Sequence, residues 1–307
     1  MKILNKIKQF WNKYNLIIKL LLSLCILYFV FVNLNISQVL SLLKEINVLF
    51  LIPCLFLAFV TLIFMVLKWN VFLKKYNKTN LKELMSIYWA SDFVNLFGIG
   101  AIGSETYKMF SFKEKKKVLF SSLIDRIYSL IWYILLGCSI FTIYFLTNNE
   151  KIPTILFGIL FFFSIVFIYA TIEKWIKKKI CNLIKNELFN KIIFESQRTK
   201  KELIMHSFYC LIIILLQVII YHLIFSAVGF EVKTIELFIL IPLLTIALVL
   251  PISFQGFGIR EFLFIEFAKW NLVLPEKALI ASFLLYLIEL IYRLFGAIPF
   301  LILKKEN

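Results

Sequence analysis

The feature that most constrains the fold is a series of long apolar runs. Each is close to the length of about 20 residues that a helix needs to cross a bilayer. Hydrophobic residues make up 62% of the chain and include 34 Phe, more apolar surface than a soluble fold could bury. The sequence therefore predicts an all-α polytopic membrane protein with a single integral membrane domain, residues 1–307. The predicted spans are 16–34, 48–68, 118–146, 152–172, 205–228 and 278–303.

Lysines cluster in short loops beside these runs and give the chain a net charge of +16. Nucleic acid could neutralise such a charge, but lysines that flank apolar spans favour the membrane surface. The N-terminal lysines precede a run without a small-residue cleavage site, so we expect an uncleaved anchor. The positive-inside rule then places both termini in the cytoplasm. It does the same for the loop that carries Lys68, Lys74, Lys75, Lys78 and Lys82.

Residues 84–107 do not fit a simple crossing. They are long enough to span, but Lys108, Lys113 and Lys115 to Lys117 follow, so a crossing would put five lysines outside. A hairpin over 83–112 that enters from the cytoplasm and returns removes the conflict. The predicted tip residues are the glycines of FGIGAIG, which are Gly98, Gly100 and Gly103.

A second irregular segment is PISFQGFGIREFLFIE, from Pro251 to Glu266, which lies between apolar residues. Irregular backbone and ionised side chains at membrane depth persist only where protein or a water-filled cavity satisfies them, so this segment is a candidate functional site. The loop charges fit a hairpin over 235–270 that enters from outside. Its predicted tip residues are Pro251, Ser253, Gln255, Gly256 and Gly258.

Six transmembrane helices and two oppositely oriented re-entrant hairpins form an inverted repeat in this topology. The first repeat covers about 48–146 and the second about 205–303. Inverted repeats with broken helices near the midplane are typical of secondary transporters, with a chance likeness of two glycine-rich breaks as the alternative. The connector 173–203 has the spacing of an amphipathic helix on the cytoplasmic face, although a solvated connector fits equally.

Ionisable residues inside the apolar segments define the candidate binding site. The chain has four arginines, and three of them lie in these segments. A guanidinium donates two parallel hydrogen bonds to a phosphate, which favours arginine over lysine in a buried anion site. The predicted substrate-binding residues are Arg126, Arg260, Arg293, Glu105, Asp125, Glu261 and Glu289.

These charges also have a purely structural interpretation, in which Arg126 pairs with Asp125 or a hairpin acid, and Arg293 with Glu289. At about 2.5–3.5 kcal/mol for each ionised group, the set would oppose insertion by roughly 20 kcal/mol if unpaired. A shared polar cavity that admits a lipid headgroup accounts for both the charges and the hairpin tips, because helix N-termini attract anions.

No catalytic, cofactor or metal site is predicted. Gly98, Gly100 and Gly103 spell GxGxxG with Asp125 about twenty residues on, but no strand precedes them, so a dinucleotide site is not expected. The two histidines lie far apart on one predicted span and do not suggest a metal pair. The five cysteines have no CxxC spacing, which leaves them as packing residues.

The sequence PISFQGFGIRE resembles the P-x-S-x-G-G-x-G-x-R-E signature of the lysylphosphatidylglycerol synthase transmembrane region, or flippase-like, family. FGIGAIGSETYKMF and SSLIDRIYSL resemble its first hairpin and following span. The resemblance implies a bacterial cytoplasmic membrane protein similar to the membrane half of the multiple peptide resistance factor, with a link to antibiotic resistance. Gln255 stands where that family usually has glycine, Glu105 where aspartate is common, and Lys108 where arginine is common.

The resemblance implies a lipid flippase that binds and translocates a lipid with a phospho-headgroup, either phosphatidylglycerol-type or aminoacylated. One alternative is the membrane module of a phosphatidylglycerol lysyltransferase or glycolipid transferase that acts with a separate catalytic partner. A second is a scaffold subunit without transport. Because no soluble transferase domain follows the last span, we expect the chain itself to provide no site for acyl transfer, tRNA or other nucleic acid.

Overall fold

The computed structural model describes residues 28, 32, 34–77, 79–97, 101–147, 199–249 and 256–306. Every regular element in these ranges is helical, which confirms the predicted all-α class there. The elements are α1 (Ile36–Leu43), a 3-10 turn (Val48–Phe50), α2 (Leu51–Leu73), α3 (Leu81–Phe97), α4 (Ala101–Phe110), α5 (Lys115–Thr147), α6 (Lys200–Ala227), α7 (Thr234–Val249), α8 (Ile259–Trp270), α9 (Pro275–Leu294) and α10 (Ala297–Glu306).

Long apolar helices lie at four of the predicted spans, and the chain is a multi-pass membrane protein. The predicted spans 16–34 and 152–172 lie almost entirely outside the described residues, as does the connector up to residue 198. Thr199 caps α6, so residues 200–203 belong to that helix rather than to the connector. The stretches long and apolar enough to cross a membrane are Val48–Leu73, Lys115–Tyr144, Lys200–Ala227 and Pro275–Leu303.

Pairs of short helices occupy both segments predicted as hairpins. α3 packs against α4, and α7 packs against α8. The longest of the four has 17 residues, fewer than the 20 or so that a span needs. The segments that join them, 98–100 and 250–255, lie outside the described residues. The same holds for the predicted tip residues Gly98, Gly100, Pro251, Ser253 and Gln255.

The remaining tip glycines differ in their role. Gly103 is the third residue of α4 rather than part of the predicted turn, because the helix already begins at Ala101. Gly256 and Gly258 have φ angles of 82° and 88°, a left-handed backbone that glycine adopts without steric penalty. A Cβ on Gly256 would collide with Leu248 of α7. Gly258 is the N-cap of α8, so this turn sets where α8 begins.

The two halves of the chain interlock through similar contacts. α2 packs along α6, while α7 packs against α5 and α3 packs against α9 and α10. Glycines allow both of the latter contacts to be close. A Cβ on Gly137 of α5 would lie 2.8 Å from Pro242 of α7, and one on Gly296 would collide with the backbone oxygen of Trp89 in α3. The first helix of each short pair is thus seated on the last long helix of the other half.

Apolar side chains cover the outer faces of the long helices. Phe56 of α2 is 67% exposed, Leu215 of α6 is 52% exposed and Leu301 of α10 is 60% exposed. Inside, Phe225 of α6 contacts Phe264 of α8 with ring centroids 5.3 Å apart. An exterior this apolar suits hydrocarbon rather than water.

Candidate functional site

The first group of predicted site residues, here named the first arginine cluster, comprises Ser104, Glu105 and Lys108 of α4 and Arg126 of α5. Arg126 donates from Nε to Glu105 Oε1 at 2.8 Å, and its Nη2 lies 2.7 Å from the same oxygen. Nη2 also donates to Ser104 Oγ at 3.3 Å. Lys108 Nζ lies 3.6 Å from Glu105 Oε1. The Glu105 carboxylate therefore pairs with both Arg126 and Lys108.

Exposure distinguishes the members of this cluster. Glu105 and Lys108 are buried, but the side chain of Arg126 is 39% exposed. Lys108 Nζ lies 3.8 Å from the ring centroid of Tyr88, so the aromatic face replaces part of the lysine's hydration. Arg126 is the most exposed charged member of the first arginine cluster.

The second arginine cluster comprises Arg260 of α8 with Glu289 and Arg293 of α9. Arg260 Nη2 donates to Glu289 Oε2 at 3.0 Å, and Arg293 Nη2 lies 3.5 Å from that oxygen. Arg260 is only 5% exposed. Its Nη1 is buried and has no hydrogen-bond partner in the described part of the chain. A buried donor without an acceptor is unfavourable by about 1–3 kcal/mol, so this guanidinium has unused capacity for an anion.

A partly open pocket with a cavity volume of about 80 Å³ lies beside the second cluster, between α2, α6 and α9. Glu289 and Tyr292 line it from α9, and Tyr221 and Gln217 line it from α6. Its other walls are mostly apolar. A mainly apolar cavity with a few polar groups on one side is typical of sites for amphiphilic ligands.

Glu261 stabilises the N-terminus of helix α8. Its Oε2 accepts a hydrogen bond from the Gly258 backbone N–H at 2.6 Å, and its Oε1 accepts one from Ser282 of α9 at 3.3 Å. The carboxylate thus closes the N-terminus of α8 and holds that helix on α9. Glu261 lies next to Arg260 in sequence but contributes to the site by positioning the helix.

Asp125 does not pair with its neighbour Arg126. It belongs to a separate group, here named the histidine cluster, with Lys68, Ser129 and His206. Asp125 Oδ1 lies 2.9 Å from His206 Nε2, and Oδ2 lies 3.4 Å from Lys68 Nζ. Lys68 also donates to Ser129 Oγ at 2.6 Å. Successive residues of a helix point about 100° apart, so Asp125 and Arg126 face different neighbours.

Lys68 is a correction to the sequence-based topology. It was expected in a cytoplasmic loop, but it lies inside α2 and is only 9% exposed. Its charge is satisfied by Asp125 and Ser129, so burial is possible without a solvated loop. The signal that could have identified it is its position within the last turns of an apolar run.

Asp92 of α3 was also missed. It lies within electrostatic range of Lys108 and Arg126 in the first arginine cluster and of Arg293 in the second. Asp92 therefore interacts electrostatically with both clusters. The signal for Asp92 was the one used for Asp125, an acid inside an otherwise apolar segment.

Fold and site together define a multi-pass α-helical membrane protein with buried arginine–carboxylate clusters between its helices. The family described as lysylphosphatidylglycerol synthase TM region matches residues 16–296. The chain belongs to this family. The family places it among membrane modules related to lipid modification or transport, in a phospholipid context. No curated protein and no solved structure shows a significant match to the chain.

Proposed function

We propose that the chain is a lipid flippase or transporter of the bacterial cytoplasmic membrane. It binds a lipid with a phospho-headgroup, phosphatidylglycerol-type or aminoacylated, and moves it across the bilayer. The observation that carries this proposal is Arg260, which is only 5% exposed and whose Nη1 has no hydrogen-bond partner among the described residues, while its ion-pair partner Glu289 lines the pocket. A phosphate oxygen supplies the acceptor that Nη1 lacks.

The accessible Arg126 supplies a second guanidinium for the same headgroup at another stage of transport. Its partner Glu105 is shared with Lys108, so that carboxylate keeps a counter-charge when a phosphate takes Arg126. The apolar walls of the pocket suit the glycerol and acyl part of a lipid.

The interlocked helices support an inverted repeat. In this arrangement α3–α4 and α7–α8 are re-entrant hairpins that enter from opposite sides, and both termini are cytoplasmic. Each hairpin is seated on a long helix of the other repeat, through Gly296 and Gly137. Contacts of this kind between the repeats allow one repeat to rotate against the other around a central site, as alternating access requires.

Headgroup translocation in proteoliposomes tests the proposal. Wild type is compared with Arg260→Lys, which keeps the charge but not the fork of donors, and with Arg260→Gln. Lys269→Gln is the matched control, because it removes a cation from an exposed position on the same helix. We expect Arg260→Gln to reduce translocation about tenfold or more, corresponding to loss of a charge-assisted hydrogen bond.

Full translocation by both Arg260 variants overturns the role of Arg260. Lipid binding by wild type without translocation favours instead a module that presents lipid to a separate transferase.

A further inference from the structure

The histidine cluster lies where α2, α5 and α6 meet, and none of its four members lines the pocket. His206 is fully buried, and its ring is stacked on Phe72 of α2 with centroids 4.6 Å apart. Its Nε2 faces Asp125 at 2.9 Å, and its Nδ1 lies 3.6 Å from Cys210 Sγ. Both ring nitrogens thus have polar neighbours, so the ring can carry one proton or two in this position.

The groups that face His206 come from several helices. Asp125 and Tyr128 face it from α5, and Lys68 reaches the same carboxylate from α2. Cys210 faces it from its own helix. Asp125 favours a charged ring and Lys68 opposes it. The charges of Asp125 and Lys68 therefore offset each other next to the ring.

The charges of the clusters are balanced while His206 is neutral. Counted by the ordinary charges of their side chains at neutral pH, the three clusters together with Asp92 and Glu261 contain five cations and five anions. The cations are Lys68, Lys108, Arg126, Arg260 and Arg293, and the anions are Asp92, Glu105, Asp125, Glu261 and Glu289. A phosphate adds one negative charge in a region of low dielectric, where an uncompensated charge is strongly unfavourable. Among these groups histidine is the one whose ordinary pKa, about 6.5, lies near neutrality.

Electrostatic interactions couple the first arginine cluster to the histidine cluster. Asp125 directly precedes Arg126 on α5, and Lys108 lies within electrostatic range of both Glu105 and Asp125. When a phosphate draws Arg126 away from Glu105, Lys108 becomes the main counter-charge of Glu105. Asp125 is then less compensated, which favours a proton on its partner His206.

We propose that His206 is a proton-binding site and that uptake of a phosphate-bearing lipid is coupled to its protonation. This inference rests on the proposed function, because it assigns a co-ligand, the proton, to the same headgroup site. It makes the transmembrane proton gradient available to bias lipid movement.

Calorimetry of lipid binding tests the coupling. A short-chain phosphatidylglycerol is titrated into the full-length protein in detergent, in two buffers that differ in ionisation enthalpy. For wild type we expect net proton uptake near pH 6.5, and an affinity that falls by up to about tenfold for each pH unit above that value. His206→Gln, which keeps a donor toward Asp125 but cannot titrate, should bind without proton uptake. His222→Gln, at the other histidine of the same helix, should behave as wild type.

The outcomes separate this inference from the proposed function. Lipid binding by wild type without proton uptake, or an affinity independent of pH, overturns the coupling alone and needs no variant. Equal proton uptake by His206→Gln and wild type overturns the role of His206. Absence of lipid binding by wild type overturns the proposed function and the coupling together. Thermal unfolding of both histidine variants in the same detergent shows whether they are folded.

Discussion

Arg260 of α8 and Glu289 of α9 form a 3.0 Å ion pair, and a counterpart with exchanged charges joins α4 to α5. There the carboxylate, Glu105, lies on the short helix and the guanidinium, Arg126, on the long one, 2.7 Å apart. In both halves of the chain a short helix is thus tied to the long helix that follows it. The two pairs differ in exposure, since Arg126 is partly accessible and Arg260 is not.

Arg126 is expected to contribute to lipid affinity because its guanidinium is the accessible one. Arg126→Gln should weaken binding of phosphatidylglycerol about tenfold, the lower end of the range for a charge-assisted hydrogen bond, since partial exposure reduces its strength. Calorimetry in detergent measures the change. Lys117→Gln, which removes a cation of similar exposure from the same helix, is the control. An Arg126→Gln affinity equal to that of the control would show that Arg126 only ties α5 to α4.

Removing one member of the Lys68–Asp125 pair is expected to lower the stability of the fold more than replacing both members by apolar residues. Asp125→Leu alone leaves a buried ammonium without its carboxylate, and we expect a loss of about 3–5 kcal/mol of stability. The double variant Lys68→Met, Asp125→Leu removes both charges and should lose clearly less. Unfolding in detergent, followed by circular dichroism, provides the comparison.

An exposed pair provides the control for that cycle. Lys117 and Glu114 lie 3.5 Å apart with side chains 36% and 55% exposed, so their removal should change stability by less than about 1 kcal/mol. If the double variant of the buried pair is no more stable than Asp125→Leu, the interaction of Lys68 with Asp125 is not what limits the single variant.

Gly296 is expected to set the distance between α3 and the end of α9. A Cβ there meets the Trp89 carbonyl oxygen, which belongs to backbone and cannot rotate away. Gly296→Ala should lower stability by about 1–3 kcal/mol, as overpacking does in other cores. The neighbouring exposed Ile298, replaced by Ala, should have little effect. A melting temperature of Gly296→Ala equal to that of Ile298→Ala would contradict the close contact.

The orientation of the two short helix pairs can be tested by labelling. Single cysteines at Lys113 and Lys269, in a background without the native cysteines, should react with an impermeant maleimide from opposite sides of the membrane. Both positions are exposed. A cysteine at Lys82 should label from the same side as Lys113, since both flank the first hairpin. Labelling of Lys113→Cys and Lys269→Cys from one side would exclude hairpins of opposite orientation.

The sequence by itself determined the all-α membrane class, the four described long helices and the places where helices break. These are local signals, because the length of an apolar run and the energy of an ionised group in hydrocarbon do not depend on the fold. The family resemblance and the positions of Arg126, Arg260 and Arg293 came from the same source. The structure places short helix pairs at both predicted breaks, while the segments that join them lie outside the described residues.

Only the tertiary structure decided which charges meet. Asp125 and His206 are 81 residues apart, and Arg260 and Glu289 are 29 apart, so their pairing depends on which helix faces pack together. From the sequence, Arg126 could pair with Asp125 or with a hairpin acid, and the structure pairs it with the hairpin acid Glu105. The helical rotation between Asp125 and Arg126 directs Asp125 toward Lys68 and His206. The same packing gives Glu261 its capping role and brings Asp92 within electrostatic range of both arginine clusters. Partner choice is a property of the assembled helices, because a buried charge is stabilised by whatever the neighbouring helix presents to it.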